Sequence, residues 1–220
     1  MYEHKSRILK DYHEKPSLLG LLDDFDLRLG QQSARLISYR AAFTSLLSVR
    51  AAEIHRQFSG GAEELGIRYK TVGEIDPAGK SPEQILPELL EHQRQHRQAE
   101  LRSGLCLTGA HKDDLEIDIN GAAARKFASQ GQARTAAVSI KLAERDIHFE
   151  DRGQYPVLLL DDVLSELDSR RQGFIIGRIE NGQVFITCCD DGAVKVARGG
   201  LTLRVEGGKI ENTGEAPDAL

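Results

Sequence analysis

The sequence predicts an α/β protein whose first half is a mainly helical appendage, and three observations carry that prediction. Residues 17–58 contain no proline and place apolar residues at helical spacing. From about Gly104 the texture becomes strand, helix, continuous apolar run, helix and strand. The apolar run, Tyr155 to Leu160, ends on two adjacent carboxylates, Asp161 and Asp162.

Taken in order, Leu29, Ala34, Ile37, Ala41, Leu46 and Val49 can share one buried stripe of the first long helix. Ser59-Gly60-Gly61 stops that helix after Phe58. Leu65 to Val72 alternates like a short strand, and Gly73, Pro77, Gly79 and Pro82 then make a loop. Pro82 to about Arg102 is helical and polar on most faces, as in an exposed arm or one side of a helical hairpin. Leu115, Ile117 and Ile119 alternate with polar residues up to a tight turn at Asn120-Gly121. A helix follows from Ser129–Gln132 to about Glu150. Tyr155 to Leu160 reads as a strand buried on both faces. A helix over Ser169 to about Ile179, a strand over Gln183 to Cys188 and a hairpin turning at Gly207-Gly208 complete the chain. The expected division is a helical lobe over 1–103 and an α/β lobe over 104–220.

Composition sets limits on function. The 220 residues are 40% apolar and 29% charged, with 5% aromatics and no Trp, so Leu, Ile, Val and Ala must supply the core. A net charge of −5 argues against a uniformly basic nucleic-acid binder but leaves room for a local basic face. Cys106, Cys188 and Cys189 are too few and too uneven for a disulfide framework or a zinc site, and read as buried small hydrophobes of a reducing compartment. The charged N-terminal stretch has no signal-peptide core, and no apolar run reaches membrane-spanning length. The expectation is a cytoplasmic protein with no membrane partner.

The strongest chemical signal is PVLLLDDVLSELD, Pro156 to Asp168. A strand ending in paired carboxylates puts acid groups at the C-terminal edge of a sheet, where ligands of α/β folds bind. That is the form of a Walker B element, with Asp161 holding Mg²⁺ and Asp162 orienting or deprotonating the attacking water. The alternative is that the two aspartates cap the following helix. The second signal is Ser129-Gln130-Gly131-Gln132 opening a helix, an anion site at the positive end of a dipole or else an ordinary capped helix.

Together, KFASQGQARTAAVSIKLAE and YPVLLLDDVLSELDSRRQ closely resemble the RecF family, bacterial recombinational-repair ATPases related to SMC proteins. GAHKDDLEIDING is similar to that family's GPHRDD segment, with Ala110 in place of Pro and Lys112 in place of Arg. QVFITCCD, Gln183 to Asp190, matches its strand after Walker B, and FSGGAEELGIRY its second lobe. The resemblance runs from about residue 16 to 210. It implies the C-terminal lobe of an ABC-type ATPase head, an incomplete P-loop NTPase-like sheet beside a mainly helical second lobe. It further implies a homodimer closed by ATP on DNA. Ser129, Gln130, Gly131 and Gln132 would face the γ-phosphate held by the opposite subunit, and Asp168 of SELD would contact that subunit. Asp161 and Asp162 would serve Mg²⁺ and water within their own subunit. The implied role is replication, gap repair and the SOS response, on single-stranded and gapped duplex DNA, with slow ATP hydrolysis and other recombination-repair proteins as partners.

One departure stands out. No G-x-x-x-x-G-K-[ST] motif occurs in the sequence. GEIDPAGKS, Gly73 to Ser81, comes nearest, but Glu74 adds a repelling charge and Pro77 removes a backbone donor. The chain is therefore expected to be a fragment or split part of a DNA-dependent ATPase, inactive alone. SGGAEE, Ser59 to Glu64, mimics an ABC signature but follows a helix instead of opening one, and reads as a helix C-cap. His111, Asp113 and Asp114 read as strand-end polar residues and not as a metal site. Arg94, Arg97, Arg125, Lys126 and Arg134 are the candidate DNA-phosphate contacts, or else solvated surface, with no aromatic platform interleaved. Two rivals remain: a DNA-binding or protein-interaction module that has lost nucleotide chemistry, and an SMC-like head. Short helices without sustained heptads disfavour the second.

Overall fold

The computed structural model describes residues 1–179, 181–189 and 200–215. The chain divides into two compact units, each built from two stretches of sequence: Met1–Val49 with Gly66–Ala123, and Arg50–Leu65 with Ala124–Leu220. A single cut near Gly104 does not reproduce this division. The strands Leu65–Lys70 (β1), Asp114–Ile119 (β2) and Ala122–Ala123 (β3) form one sheet in the order β1-β2-β3, and that hydrogen bonding draws residues 104–123 into the helical unit.

In the first unit, helix α1 (Tyr2–Asp11) precedes a 3-10 turn, Pro16–Leu21, and the long helix α2 (Leu22–Phe58), whose residues from Arg50 on belong to the second unit. Helix α3 (Pro82–Ser103) packs on α2, so the hairpin reading of this polar helix is the one the fold adopts. Ile85 and Leu89 of α3 are fully buried against Ala34, Ile37, Ile75 and Ala110. Each such side chain contributes about 1.5–3 kcal/mol by leaving water. Gly30 makes the close approach possible: a Cβ there would sit 3.1 Å from Leu90 and 3.2 Å from Leu86. The buried stripe of α2 matches the expected one at Leu29, Ala34 and Ile37. It then turns to Thr44, Leu47, Ala51, Ile54 and Phe58, leaving Leu46 and Val49 exposed. The 3.6-residue period walks a straight stripe around so long a helix, and Thr44 rather than Leu46 holds the inward position.

Helix α1 has no counterpart among the sequence expectations. Its Ile8 and Leu9 are buried with Leu22, Leu29 and Cys106. Lys5, 1% exposed, pairs with Asp26 and with Glu100, each at 2.7 Å. Burial lowers the Lys5 pKa, but its bonds to the two carboxylates outweigh that and raise it above its ordinary value. Asp113 plays a structural part, accepting from Tyr69 and from the Val72 N–H at 2.8 Å, while Arg40 donates to the Ala110 carbonyl at 2.7 Å. These bonds tie the GAHKDD turn to β1 and α2.

The second unit holds helices α4 (Ala124–Phe127), α5 (Gln130–Arg152) and α6 (Ser169–Arg178). Strands β4 (Leu158–Asp161) and β5 (Val184–Thr187) run parallel, with Leu159 opposite Phe185 and Asp161 opposite Thr187. Strand β4 is not buried on both faces. Leu158 and Leu160 point inward, whereas Leu159 is 69% and Phe185 54% exposed, because a two-stranded sheet is covered on one side. Strands β6 (Leu201–Glu206) and β7 (Lys209–Glu215) pair antiparallel across the Gly207-Gly208 turn, as the sequence predicts. Cys106 is buried, but Cys189 is exposed, so the cysteines are not uniformly core residues. Asp190, the last residue of the QVFITCCD segment, lies outside the described residues. Among the described residues no helix is long and apolar enough to cross a membrane.

Candidate functional site

All the candidate chemistry of the SQGQ and DD segments falls in the second unit. Ser129 is the N-cap of α5 in extended backbone, and its Oγ accepts the Gln132 N–H at 3.2 Å. The Gln132 side chain closes the reciprocal half of the box, its Oε1 accepting the Ser129 N–H at 3.0 Å. Ser129, Gln130 and Gly131 are exposed. The cap leaves the Ser129 hydroxyl proton and the first-turn N–H groups of Gln130 and Gly131 outside the helix's own hydrogen bonding, aimed off its positive end. Gln132 differs from its neighbours: its Nε2 donates to Glu63 at 3.0 Å, so both ends of its amide are engaged within the unit.

At the other edge, β4 delivers Asp161 and Asp162 as the sequence predicts. Thr187 of β5 donates to Asp161 Oδ1 at 2.5 Å, and the Asp162 N–H donates to Thr187 Oγ1 and to its carbonyl, at 3.0 and 3.1 Å. Asp162 sits at φ +53°, a left-handed conformation that costs a non-glycine residue free energy and that Asp tolerates better than most. Ser165 donates to Asp162 Oδ1 at 2.5 Å. Each carboxylate keeps its second oxygen clear of these bonds, at an exposed strand end. Neither caps the next helix. That role belongs to Asp168, whose Oδ1 accepts the Arg171 N–H at 2.9 Å as the N-cap of α6.

Two features join these pieces. A groove of about 680 Å³ runs from Gln130 and Arg134 along α5 to Lys141, with Leu159, Leu160 and Val163 on its other side. The Arg171 guanidinium lies 3.6 Å from Asp168 Oδ2 and within 3.9 Å of where a Gly131 Cβ would stand. The open approach at Gly131 thus faces the arginine paired with Asp168.

The candidate DNA contacts separate into two groups. In the first unit Arg94 pairs with Glu91, and Arg97 bridges Asp23 and Asp26 at 2.7 and 3.0 Å. Those charges are neutralised within the fold. Arg125 and Lys126 are exposed on α4, and Phe127 beside them is 72% exposed, so an aromatic does accompany these cations. Arg134 lines the groove.

Several residues behind the site carry no signal that the sequence alone makes readable. His55, fully buried near the end of α2, meets Ser139 Oγ through Nδ1 at 3.3 Å and Glu63 Oε2 through Nε2 at 3.1 Å. Burial pulls its pKa below 6.5, against the opposing pull of Glu63. Gly60 and Gly61 close α2 as a C-cap, with the Gly61 N–H reaching the Arg56 carbonyl at 2.7 Å. Ser59 Oγ then accepts the Glu63 N–H at 3.2 Å, which sets Glu63 facing Gln132. The signature-like SGGAEE segment is a helix cap, as expected, and it also props the SQGQ helix.

A capped SQGQ helix ahead of a parallel strand ending in two aspartates, followed by an Asp-capped helix, places the fold with the ABC-type ATPase heads, as a partial lobe of one. No protein-family model matches the chain. The DNA replication and repair protein RecF of Acetivibrio thermocellus is 35% identical over 207 residues, 93% of this chain and 56% of that protein. RecF of Listeria monocytogenes serotype 4b is 41% identical over 196 residues, and RecF of Desulforamulus reducens 36% over 209. A solved structure of the recombination mediator protein RecF with ATP, in the RecFOR pathway, superposes with a TM-score of 0.81 at 30% identity. A second, RecF-ATPrS, gives 0.82 at 29%; each covers 97% of this chain and 56% of the other. In sequence and in fold the chain is a RecF homologue, spanning about half the length of the curated relatives it matches.

Proposed function

We propose that the chain is the signature-bearing and Walker B-bearing part of a RecF-like, ATP-dependent DNA-binding protein. Its setting would be cytoplasmic DNA replication, recombinational gap repair and the SOS response. The observation that carries this reading is the meeting, in one compact unit, of an exposed donor set at Ser129–Gly131 with paired carboxylates at the end of β4. Hydroxyl and N–H donors at a helix N-terminus match the outer face of a phosphate. Two carboxylates with free oxygens match a hydrated divalent cation and a nucleophilic water. The phosphate cradle is different: the sequence has no P-loop motif, and Lys80 of the nearest look-alike is paired with Glu88 at 2.6 Å. The chain therefore does not hold ATP by itself.

In this reading Ser129 donates its hydroxyl, and Gln130 and Gly131 their N–H groups, to the γ-phosphate of ATP held by another subunit. Gln132 fixes the geometry of that helix end. Asp161 holds Mg²⁺, and Asp162 orients the water or takes its proton. Mg²⁺ would supply neutralisation of phosphate charge. Asp168 with Arg171 meets the opposite subunit of a homodimer. DNA, single-stranded or gapped duplex, meets Arg125, Lys126 and Arg134, and other recombination-repair proteins complete the assembly. Slow hydrolysis would open the dimer.

The test mixes this chain with a complete RecF-family protein whose own signature serine has been changed to arginine. Its P-loop then holds ATP that only a signature supplied in trans can complete. Hydrolysis that rises with added chain, and does not rise with the Ser129→Arg chain, supports the reading. The second reading is a non-catalytic module that retains the fold, favoured by the missing P-loop. It predicts no ATP-dependent association and no stimulation.

A further inference from the structure

We infer that Glu63 and His55 are positioning residues for the SQGQ helix end, acting on it through the Gln132 side chain. This inference rests on the function proposed above. Gln132 has one amide, and its two ends are assigned: Oε1 takes the Ser129 N–H at 3.0 Å, and Nε2 gives to Glu63 Oε1 at 3.0 Å. An amide can be flipped at little cost when one partner is water. Here a flip would set its carbonyl against the Glu63 carboxylate and its NH₂ against the Ser129 N–H. Glu63 therefore dictates which way the amide faces, and the amide dictates where Ser129 begins the helix.

Glu63 is held in turn. Its Oε2 receives His55 Nε2 at 3.1 Å, and its own N–H is tied to Ser59 Oγ at 3.2 Å. His55 is sealed from solvent, with Nδ1 against Ser139 Oγ at 3.3 Å. Ser139 stands two turns along α5 from Gln132 and donates to the Thr135 carbonyl at 2.8 Å. The relay therefore leaves α5 at Gln132 and returns to it at Ser139. It clamps the first turns of the helix to the end of α2 at two points. Both neutral His55, as the Nε2–H tautomer, and the imidazolium donate to Glu63, so that contact does not depend on the charge of the ring. The Ser139 contact does, because the imidazolium donates to Ser139 Oγ, whereas neutral Nδ1 must accept the hydroxyl proton that otherwise goes to the Thr135 carbonyl.

A bare capping box would leave the Ser129 hydroxyl and the two N–H donors free to fray with the first helical turn. The relay removes that freedom before any phosphate arrives, and preorganised donors are what make such a site effective. The consequence falls on the maximal rate more than on assembly, since the relay is formed within this chain.

The experiment uses the trans-stimulation assay with three chains. Glu63→Ala is expected to lower maximal stimulation about tenfold, the effect of losing one charge-assisted bond, with little change in the chain concentration giving half the effect. Glu63→Gln is expected to recover most of it, because its carbonyl still accepts from Gln132 while its NH₂ donates to neutral His55. Gln132→Met, at a half-buried position, is expected to reproduce the Glu63→Ala defect should that variant fold poorly. Amide hydrogen exchange of the isolated chain reads the same relay without nucleotide: the Ser129 N–H is expected to exchange about tenfold faster in Glu63→Ala. Full stimulation by Glu63→Ala, while Ser129→Arg still abolishes it, overturns the relay and leaves the function standing. No stimulation by the wild-type chain overturns the function, and unchanged exchange at Ser129 then overturns the relay on its own.

Discussion

Replacing Lys5 with methionine tests how much of the first unit's stability rests on a single buried charge. Methionine keeps most of the volume and removes the ammonium group. Glu100 Oε2 then loses its partner at 2.7 Å, while Oε1 keeps the Leu107 N–H and the Thr108 hydroxyl at 2.8 and 3.0 Å. Asp26 loses Lys5 but retains Arg97 at 3.0 Å. The cost therefore centres on Glu100, which is 1% exposed. Removing one member of a buried pair costs about 3–5 kcal/mol. At about 2–4 °C per kcal/mol for a chain of this size, melting should fall by roughly 6–20 °C. The assay is thermal unfolding followed by circular dichroism, read against a second variant, Lys5→Met with Glu100→Gln. That double change removes the stranded charge, while the amide oxygen of the introduced glutamine can still accept from Leu107 and Thr108, so it should be the more stable of the two. The pH dependence supplies a further check. The Lys5 pKa is raised in the folded chain, so its stabilisation is complete below about pH 10.5 and is lost as pH climbs through the folded value. Wild type should lose stability in that alkaline window, and Lys5→Met should lose less, the raised Lys70 and Tyr69 groups still contributing to the fall. A single variant melting within about 2 °C of wild type, less than one kcal/mol on the same scale, or a double variant less stable than the single, would refute this account.

Three further outcomes follow from the second unit. With the P-loop half of a RecF-like head supplied as a separate chain, Asp162→Asn should block hydrolysis while ATP-driven dimerisation survives; sedimentation showing loss of the dimer would sink the role given to Asp162. Thr187→Val removes the hydroxyl that holds Asp161, so the Mg²⁺ concentration for half-maximal hydrolysis in that reconstituted system should rise about tenfold with little change in melting; an unchanged Mg²⁺ requirement would show that Asp161 needs no such support. Gly60→Ala should cost about 1–2 kcal/mol in urea unfolding, because φ is +68° and the new Cβ would stand 2.5 Å from Arg170 Nη2; a neutral result would mean that the α2 cap reorganises freely.

What could be read in the sequence depends on the distance over which each feature is encoded. The β4 strand with Asp161-Asp162, the Ser129 cap and the Gly60-Gly61 stop are all local patterns a few residues long, and the structure places them where those patterns predict. Helix α1 escaped because its inward residue at position 5 is a lysine, a residue type that says surface unless Asp26 and Glu100 are known to converge on it. Leu46 and Val49 look like core by type, yet the helical phase that counts is set by Leu47, Ala51 and Ile54 further along. Leu159 is outward because burial of both faces of a strand needs layers on both sides, which no pattern within the strand can report. The Glu63–Gln132 and His55–Ser139 pairs join residues 69 and 84 positions apart, and neither end carries a periodicity that would announce the other.

The interleaving of the two units fixes the order in which the molecule can be completed during synthesis. All residues of this chain that belong to the first unit are present once Ala123 has been made, but the stretch Arg50–Leu65 has by then been waiting for partners not yet translated. His55 must remain unsealed until Ser139 emerges 84 residues later, roughly 4–17 s at ordinary rates of elongation. For that interval the end of α2 carries His55 and Phe58 without Ser139 and Phe174, which pack on them in the finished unit. The nascent chain thus passes through a stage in which the end of α2 is made but the Ser139 and Phe174 side chains that cover His55 and Phe58 are not, and an apolar helix end left so is open to proteases and to chaperone capture.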